Sequence, residues 1–390
     1  MVISPASWLA EMSRKLAMAT GFAAPWVFLP PTTRGRLDLT VAVREYGYAL
    51  ALVGLTGAGL GWRSSRYGRI SCAMGVLGAT VMAIPLVEAS ILAQRLPERL
   101  AEAFGAPRRD QLNGAKPLQI PRLARVSPIL RRKQSIRTIV FSSPDGHDLK
   151  LDLYRHPEQG GDLPLIVVIP GGRWQEADRG KFWPLNRHLA SRGYAVAAVE
   201  YRVAPRHKFP AAAEDVRSAV SYLRENAAEF GVDPNRIVLL GRSGGAQLAL
   251  LVAYDEVDPS IRGVVSLYGP TDLVTAYHQP TPPRLLDVKD TLEKYLAGNP
   301  TTAETNYRNA SPINFVGSES PPTLLVHGSK DNMVRSEQSQ GLAARLRTAS
   351  PKHFLLVLPW ATHGFDFNMN GPGGQLSTFA IEWFLSVVTR

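Results

Sequence analysis

Apolar positions follow two different rhythms along the chain, and the change falls near residue 135. In the first third they form long unbroken runs. Residues 46–62 are 17 positions without a charge, a basic segment Arg63-Ser64-Ser65-Arg66-Tyr67-Gly68-Arg69 follows, and residues 70–87 are 18 more uncharged positions. As helices these runs span roughly 26 and 27 Å at about 1.5 Å per residue, a little short of a hydrocarbon core of about 30 Å. Arg side chains that snorkel and interfacial Tyr46 and Trp62 cover the difference. Small residues at four-residue spacing, Gly57/Gly61 and Gly75/Ala79, would let the two backbones approach closely. The pattern predicts a helical hairpin in a membrane; a pair of buried helices capping a soluble domain is the alternative, and Glu88, just past the second run, favours it. A shorter apolar stretch, 16–29, follows Arg14-Lys15 but contains Pro25 and lacks a cleavage pattern, so it reads as membrane-associated. Residues 1–94 are therefore expected to be an anchor region. Residues 95–134, basic and interrupted by five prolines, are expected to be a linker or lid.

From residue 135 onward short apolar strands alternate with stretches of helical period, the signature of a mostly parallel sheet wrapped by helices. Strands are expected at 138–141, 149–154, 165–169, 194–199, 236–240, 263–267, 323–326 and 354–358, and helices at 212–230, 246–254, 336–347 and 375–388. The continuous apolar run 165–169 suits a central strand covered on both faces. Residues 135–390 are thus expected to form one α/β domain.

Charge sharpens the division. Residues 1–134 carry 18 Lys and Arg against 7 Asp and Glu, while residues 135–390 carry 26 of each, so the whole net charge of +11 belongs to the first third. A neutral larger part argues against nucleic acid as a partner, because phosphate binding needs a clustered basic footprint. A cationic segment flanking apolar runs suits a lipid surface instead. Counting the hairpin loop alone puts it inside; counting the flanks puts it outside, so both orientations stay open. The single cysteine, Cys72, excludes an intrachain disulfide and any multi-thiolate metal site.

Candidate chemistry begins at Gly241-Arg242-Ser243-Gly244-Gly245, a G-x-S-x-G between an expected strand and an expected helix. A strand–turn–helix elbow holds its serine in a strained conformation above the sheet, and small flanking residues permit the sharp turn. A serine hydroxyl needs a base, and the base an orienting acid. His363 follows the last expected strand, and Asp331 follows the one before it, in the chain order such elbows use. Seven other histidines compete with His363, of which His207 and His327 lie nearest in pattern; Asp272, after strand 263–267, competes with Asp331. The Gly244 amide, just after the nucleophile, is placed to bind a developing oxyanion. The Gly pair in Ile169-Pro170-Gly171-Gly172-Arg173-Trp174 allows further amides to turn inward.

With these motifs, residues 135–390 resemble an α/β-hydrolase of the hormone-sensitive-lipase-like group, which includes bacterial carboxylesterases. They are especially similar to the branch typified by kynurenine formamidase and isoprenylcysteine methylesterase. The resemblance rests on Pro170-Gly171-Gly172-Arg173-Trp174 in place of a His-Gly-Gly loop, and on Glu200-Tyr201-Arg202-Val203-Ala204-Pro205 with Phe209-Pro210-Ala211. It extends through Asp233-Pro234-Asn235-Arg236-Ile237, the elbow, Tyr268-Gly269-Pro270-Thr271-Asp272-Leu273, Ala310-Ser311-Pro312, His327-Gly328 with Asp331, and His363-Gly364-Phe365. It implies Ser243 as nucleophile, His363 as base and Asp331 as acid. It also implies an oxyanion hole from the Gly172, Arg173 and Gly244 amides, with a small-molecule ester as substrate and neither metal nor organic cofactor. Two departures stand out: Pro170 replaces a histidine, and Arg173 puts a bulky cation beside the oxyanion loop. Some esterases of this branch resemble the chain in carrying amino-terminal membrane helices. An amidase or arylformamidase would use the same three residues, and a non-catalytic membrane protein with a vestigial hydrolase fold would keep them without using them.

Overall fold

The computed structural model describes residues 5–390 apart from 63–65, 108–111, 113–114, 125–134, 157–159, 182, 280 and 350–351. Eight strands, β1 Ser135–Ser142, β2 Leu149–Arg155, β3 Leu163–Ile169, β4 Ala195–Val199, β5 Val232–Arg242, β6 Ile261–Leu267, β7 Thr323–Gly328 and β8 His353–Leu358, form one sheet in the order β1-β2-β4-β3-β5-β6-β7-β8. The expected strand positions are all occupied. The β1–β2 pair and the β2–β4 pair are antiparallel and the rest are parallel. Helices cover both faces, so β4 and nearly all of β3 are buried, as their unbroken apolar composition requires. Two apolar clusters, one on each side of the sheet, make the core.

The long helix expected over 212–230 is two: Ala211–Glu225 and Ala227–Phe230 meet at Asn226, and the second ends on Gly231 at φ 56°. Asn favours such a break because its side chain competes for backbone partners; here its amide donates to the Tyr222 carbonyl at 2.8 Å.

Three helices precede the sheet: α1 Pro5–Ala23, α2 Arg34–Gly61 and α3 Arg66–Phe104. They pack on one another as a bundle. The 16–29 stretch is not one element, because α1 ends at Ala23 and a short 3-10 turn, Ala24–Val27, follows. Part of the predicted hairpin loop, 63–65, lies outside the described residues. The backbones of α2 and α3 do approach closely, with Gly75 at the seam as the spacing suggested, but its partner on α2 is Gly54 rather than Gly57. A Cβ on Gly54 would stand 2.7 Å from the Gly75 carbonyl, and one on Gly47 would stand 2.7 Å from that of Met82. Gly57 faces α1 instead, where a Cβ would meet the Leu16 Cβ at 2.8 Å. A third helix takes the face that a two-helix reading assigned to the hairpin seam.

The expected boundary at residue 95 falls inside α3, which continues unbroken to Phe104. Its last turns are apolar on one face, and Leu96, Leu100 and Phe104 are buried in the core beside the sheet. Phe104 meets Phe384 edge-on, with ring centroids 4.9 Å apart. Pro97 suggests an end to the helix, since proline usually interrupts one; here tertiary packing on the sheet domain carries the helix past it. Of the remaining predicted linker, 108–111, 113–114 and 125–134 lie outside the described residues, and Ile120–Leu123 forms one short helical turn.

Candidate active site

The elbow joins β5 to the helix Gly244–Tyr254. Ser243 sits at φ 52°, ψ −124°, a conformation costly for a residue with a side chain. Glycines at the flanks make the turn possible: a Cβ on Gly241 would stand 2.2 Å from the Gly245 carbonyl, and one on Gly245 would stand 2.3 Å from that of Ile169. The Ser243 amide donates to the Leu267 carbonyl at 2.9 Å, which ties the elbow to the end of β6.

The structure brings the three sequence-predicted side chains together from the ends of β5, β7 and β8. His363 Nε2 lies 3.1 Å from Ser243 Oγ, and its Nδ1 lies 2.7 Å from Asp331 Oδ2. Asp331 is buried, and its other oxygen accepts from the Met333 and Val334 amides at 2.8 and 3.0 Å. Burial by itself raises a carboxyl; here His363 and His327 more than offset it and hold Asp331 well below the usual carboxylate range. The ionised acid can only accept, so its contact orients the His363 ring with Nδ1 toward Asp331 and Nε2 toward Ser243.

The rivals serve elsewhere. Asp272 caps the helix Leu273–His278, accepting from the Thr275 amide at 3.0 Å. His327 is fully buried; its Nδ1 lies 2.7 Å from Ser339 Oγ and its Nε2 lies 2.9 Å from the Val334 carbonyl oxygen. It buttresses the Asp331 loop from below.

The loop after β3 is held by a residue that sequence reasoning quoted without a role. The Tyr201 hydroxyl is positioned to donate to the Pro170 carbonyl at 3.0 Å and to the Glu176 carbonyl at 3.2 Å, one at each end of the loop. With Pro170 in place of histidine, this buried phenol spans the loop. Burial raises its pKa far above the ordinary value and keeps it a donor. Within the loop, Arg173 and Trp174 both take left-handed backbone angles, φ 59° and 57°. The Gly172 carbonyl accepts from the Gln175 and Glu176 amides, so it is used inside the loop. Trp174 stacks on Tyr295 with ring centroids 4.4 Å apart and donates its indole N–H to Gln247 at 2.8 Å. Its ring also lies under Gly244, where a Cβ would stand 3.2 Å away. Arg173 stays at the cavity wall, 3.4 Å from Glu176.

Beneath the serine lies a buried ion pair that the sequence did not announce. Arg242 Nε donates to Asp366 Oδ2 at 2.6 Å, and the Tyr268 hydroxyl donates to the other oxygen at 2.6 Å. Burial, and next the Asp366 charge, keep that phenol protonated far above its ordinary pKa. Tyr268 in turn packs on the His363 ring, with centroids 4.5 Å apart. The one available signal was a pair of opposite charges inside otherwise apolar segments. Among the described residues no group of three His, Cys, Asp or Glu side chains could hold a metal ion.

Two cavities meet at Ser243. A narrow one, of about 40 Å³, lies on the Gly244 and Trp174 side and is closed by Leu273, Leu286 and Leu292. A wide groove of about 480 Å³ lies on the His363 side and has Leu37, Val41, Ala42 and Tyr46 of α2 along one wall. Among the described residues, none of the predicted lid 95–134 lines either cavity.

A mostly parallel sheet with a serine elbow after β5, and an acid and a histidine after β7 and β8, is the architecture of an α/β-hydrolase. Residues 151–346 match the BD-FAE family. Esterase LipQ of Mycobacterium tuberculosis is 30% identical over 320 residues, covering 76% of this chain and 74% of LipQ. The probable carboxylic ester hydrolase LipM of the same organism is 31% identical over 254 residues, 61% of this chain and 58% of LipM, so that match spans less than two thirds of the relative. The structure of the Thermogutta terrifontis esterase Est2 superposes with a TM-score of 0.53 at 25% identity, covering 65% of this chain and 93% of the esterase. The chain belongs to the BD-FAE family and stands with the α/β-hydrolase carboxylesterases of the hormone-sensitive-lipase-like, isoprenylcysteine-methylesterase branch.

Proposed function

We propose that the protein is a membrane-anchored serine hydrolase that cleaves carboxylic esters through an acyl-enzyme. The observation that carries this reading is the continuous contact from Ser243 through His363 to Asp331, at 3.1 and 2.7 Å, with the serine in a strained elbow. His363 Nε2 takes the proton as Ser243 Oγ attacks the acyl carbon, and returns it to the departing alcohol. Water, deprotonated by the same nitrogen, then releases the carboxylic acid. Asp331 holds the imidazole orientation and stabilises the imidazolium. The Gly172, Arg173 and Gly244 amides bind the oxyanion, each worth roughly 3 kcal/mol in the transition state. Labelling with a fluorophosphonate probe tests the reading. The intact protein takes the label and Ser243→Ala does not; an unlabelled, folded wild-type protein overturns it.

Anchoring is supported by length and by surface. Among the described residues one helix, Arg69–Phe104, is long and apolar enough to cross a membrane. Most of the large apolar side chains exposed on the molecule lie in the three-helix bundle, among them Phe22, Leu52, Leu55, Trp62, Ile70 and Leu77. Leaving such surface in water costs roughly 25 cal/mol per Å². Glu88, which argued against lipid, is half-buried, with Lys330 and Arg44 as its charged neighbours, at the end of the bundle nearest the catalytic domain. The expected result is a protein that stays with membranes through alkaline washing and needs detergent for extraction. A monodisperse full-length protein without detergent overturns the anchor and leaves the hydrolase reading intact.

A further inference from the structure

The two cavities differ in size by an order of magnitude, and the chemistry says which part of an ester belongs in each. As the tetrahedral intermediate collapses to the acyl-enzyme, His363 Nε2 must reach the departing oxygen to protonate it, so the leaving alcohol lies on the side that His363 walls. His363, Gly364 and Phe367 line the wide groove and none of them lines the narrow pocket. The acyl group is then left with the narrow pocket of about 40 Å³, the space of a few water molecules at about 10–15 Å³ each. The groove, at about 480 Å³, falls in the range of roughly 300–1,000 Å³ that holds drug-sized ligands.

Resting on the hydrolase reading above, we propose that the substrates are esters of a short acyl group with a bulky apolar alcohol, and that α2 is the wall that selects the alcohol. The groove-facing positions of α2 are 34, 37, 38, 41, 42 and 46, spaced three and four apart along one helix face. Arg34 and Asp38 stand exposed at the mouth, and Leu37, Val41, Ala42 and Tyr46 make the apolar stretch. On another face of the same helix, the Glu45 carboxyl is buried in the catalytic domain. It accepts from the Trp360 indole at 3.1 Å and from the Gly373 amide at 2.9 Å. Trp360 is three residues from His363, so the contact that seats α2 also fixes the wall relative to the base. Beyond Tyr46 the helix exposes Leu52 and Leu55, so the apolar wall runs into the surface assigned to lipid, and a long alcohol can lie along it while its ester oxygen reaches His363. Hydrolysis breaks the acyl–oxygen bond; water supplies hydroxyl to the short acid and a proton to the alcohol.

Hexyl acetate and methyl heptanoate test this directly, because they are isomers whose leaving alcohols have similar basicity. Full-length protein in detergent is expected to give a kcat/KM at least tenfold higher for hexyl acetate. Ala42→Trp, which fills the groove, is expected to lower the ratio of the two kcat/KM values at least fivefold. Leu286→Ala, which widens the acyl pocket, is expected to lower it by raising the methyl heptanoate value. An equal or reversed ratio in the wild type overturns the proposal, as does a ratio that Ala42→Trp leaves unmoved. Turnover of neither ester by protein that still labels at Ser243 overturns the substrate class and spares the hydrolase reading; absence of labelling as well removes both.

Discussion

The catalytic domain and the N-terminal bundle place their polar and apolar groups in opposite ways. In the catalytic domain the interior holds the apolar strands together with a few fully engaged polar groups: Asp331 between two amides and His363, and Asp366 between Arg242 and Tyr268. In the bundle the seam is lined by Gly47, Gly54 and Gly75, and large apolar side chains point outward. Water drives apolar groups inward and makes unpaired buried charge expensive. Where that drive is absent, backbones associate instead through close packing of small residues. The contrast is what the proposed anchoring requires, with each region suited to a different surrounding medium. The two meet at Glu45 and at the end of α3, where the bundle obeys the rules of the core.

The largest test of this contrast is chemical. Ser243→Ala is expected to lower kcat on the order of 10⁶-fold without moving membrane extraction, which separates the activity from the anchor. Asp331→Asn comes next, at about 10⁴-fold in kcat, and it carries a pH signature. Because the folded carboxyl titrates below its unfolded value, the unfolded chain binds more protons between the two, and stability there rises with pH. That contribution is present above the unfolded value and is lost as pH falls through the folded one. Urea midpoints measured from pH 5 downward are expected to fall less steeply in the Asn variant; an unchanged slope refutes the assignment.

Asp366→Ala leaves Arg242 charged and buried beneath the nucleophile. It is expected to cost about 3–5 kcal/mol, read as a lower unfolding midpoint of the catalytic domain, and a change under 1 kcal/mol would show the pair to be dispensable. The smallest effect is expected in the bundle. Gly75→Leu places a side chain against the Gly54 carbonyl, where a Cβ alone would stand at 2.6 Å. Overpacking of this kind costs about 1–3 kcal/mol. Limited proteolysis in detergent is expected to open α1 to α3 while Ser243 labelling persists. Loss of labelling together with the bundle would show that the two regions fold as one unit.

Much of the site was legible because its residues carry local constraints. The elbow needs Gly241 and Gly245 next to Ser243, and the base and acid must follow strands, so spacing alone pointed to His363 and Asp331. Tyr201, Tyr268 and Asp366 were not legible as site residues. Their partners lie 25 to 124 positions away, and no periodicity encodes such a contact. The bundle was partly legible: the uncharged runs marked its helices, while Pro97 suggested an end to α3 that packing against Phe384 does not permit.

The sequence by itself determined the α/β architecture, the order of serine, acid and histidine, and the segregation of charge into the first third, because strand periodicity, turn chemistry and charge are properties of neighbouring residues. Only the tertiary structure decided that α2 forms a wall of the groove at Ser243, which no described residue of the predicted lid lines, and that one cavity there is narrow and the other wide. Those facts depend on how a helix of one region seats on loops of the other, and burial of Glu45 against Trp360 and Gly373 sets that seating across more than three hundred residues of chain.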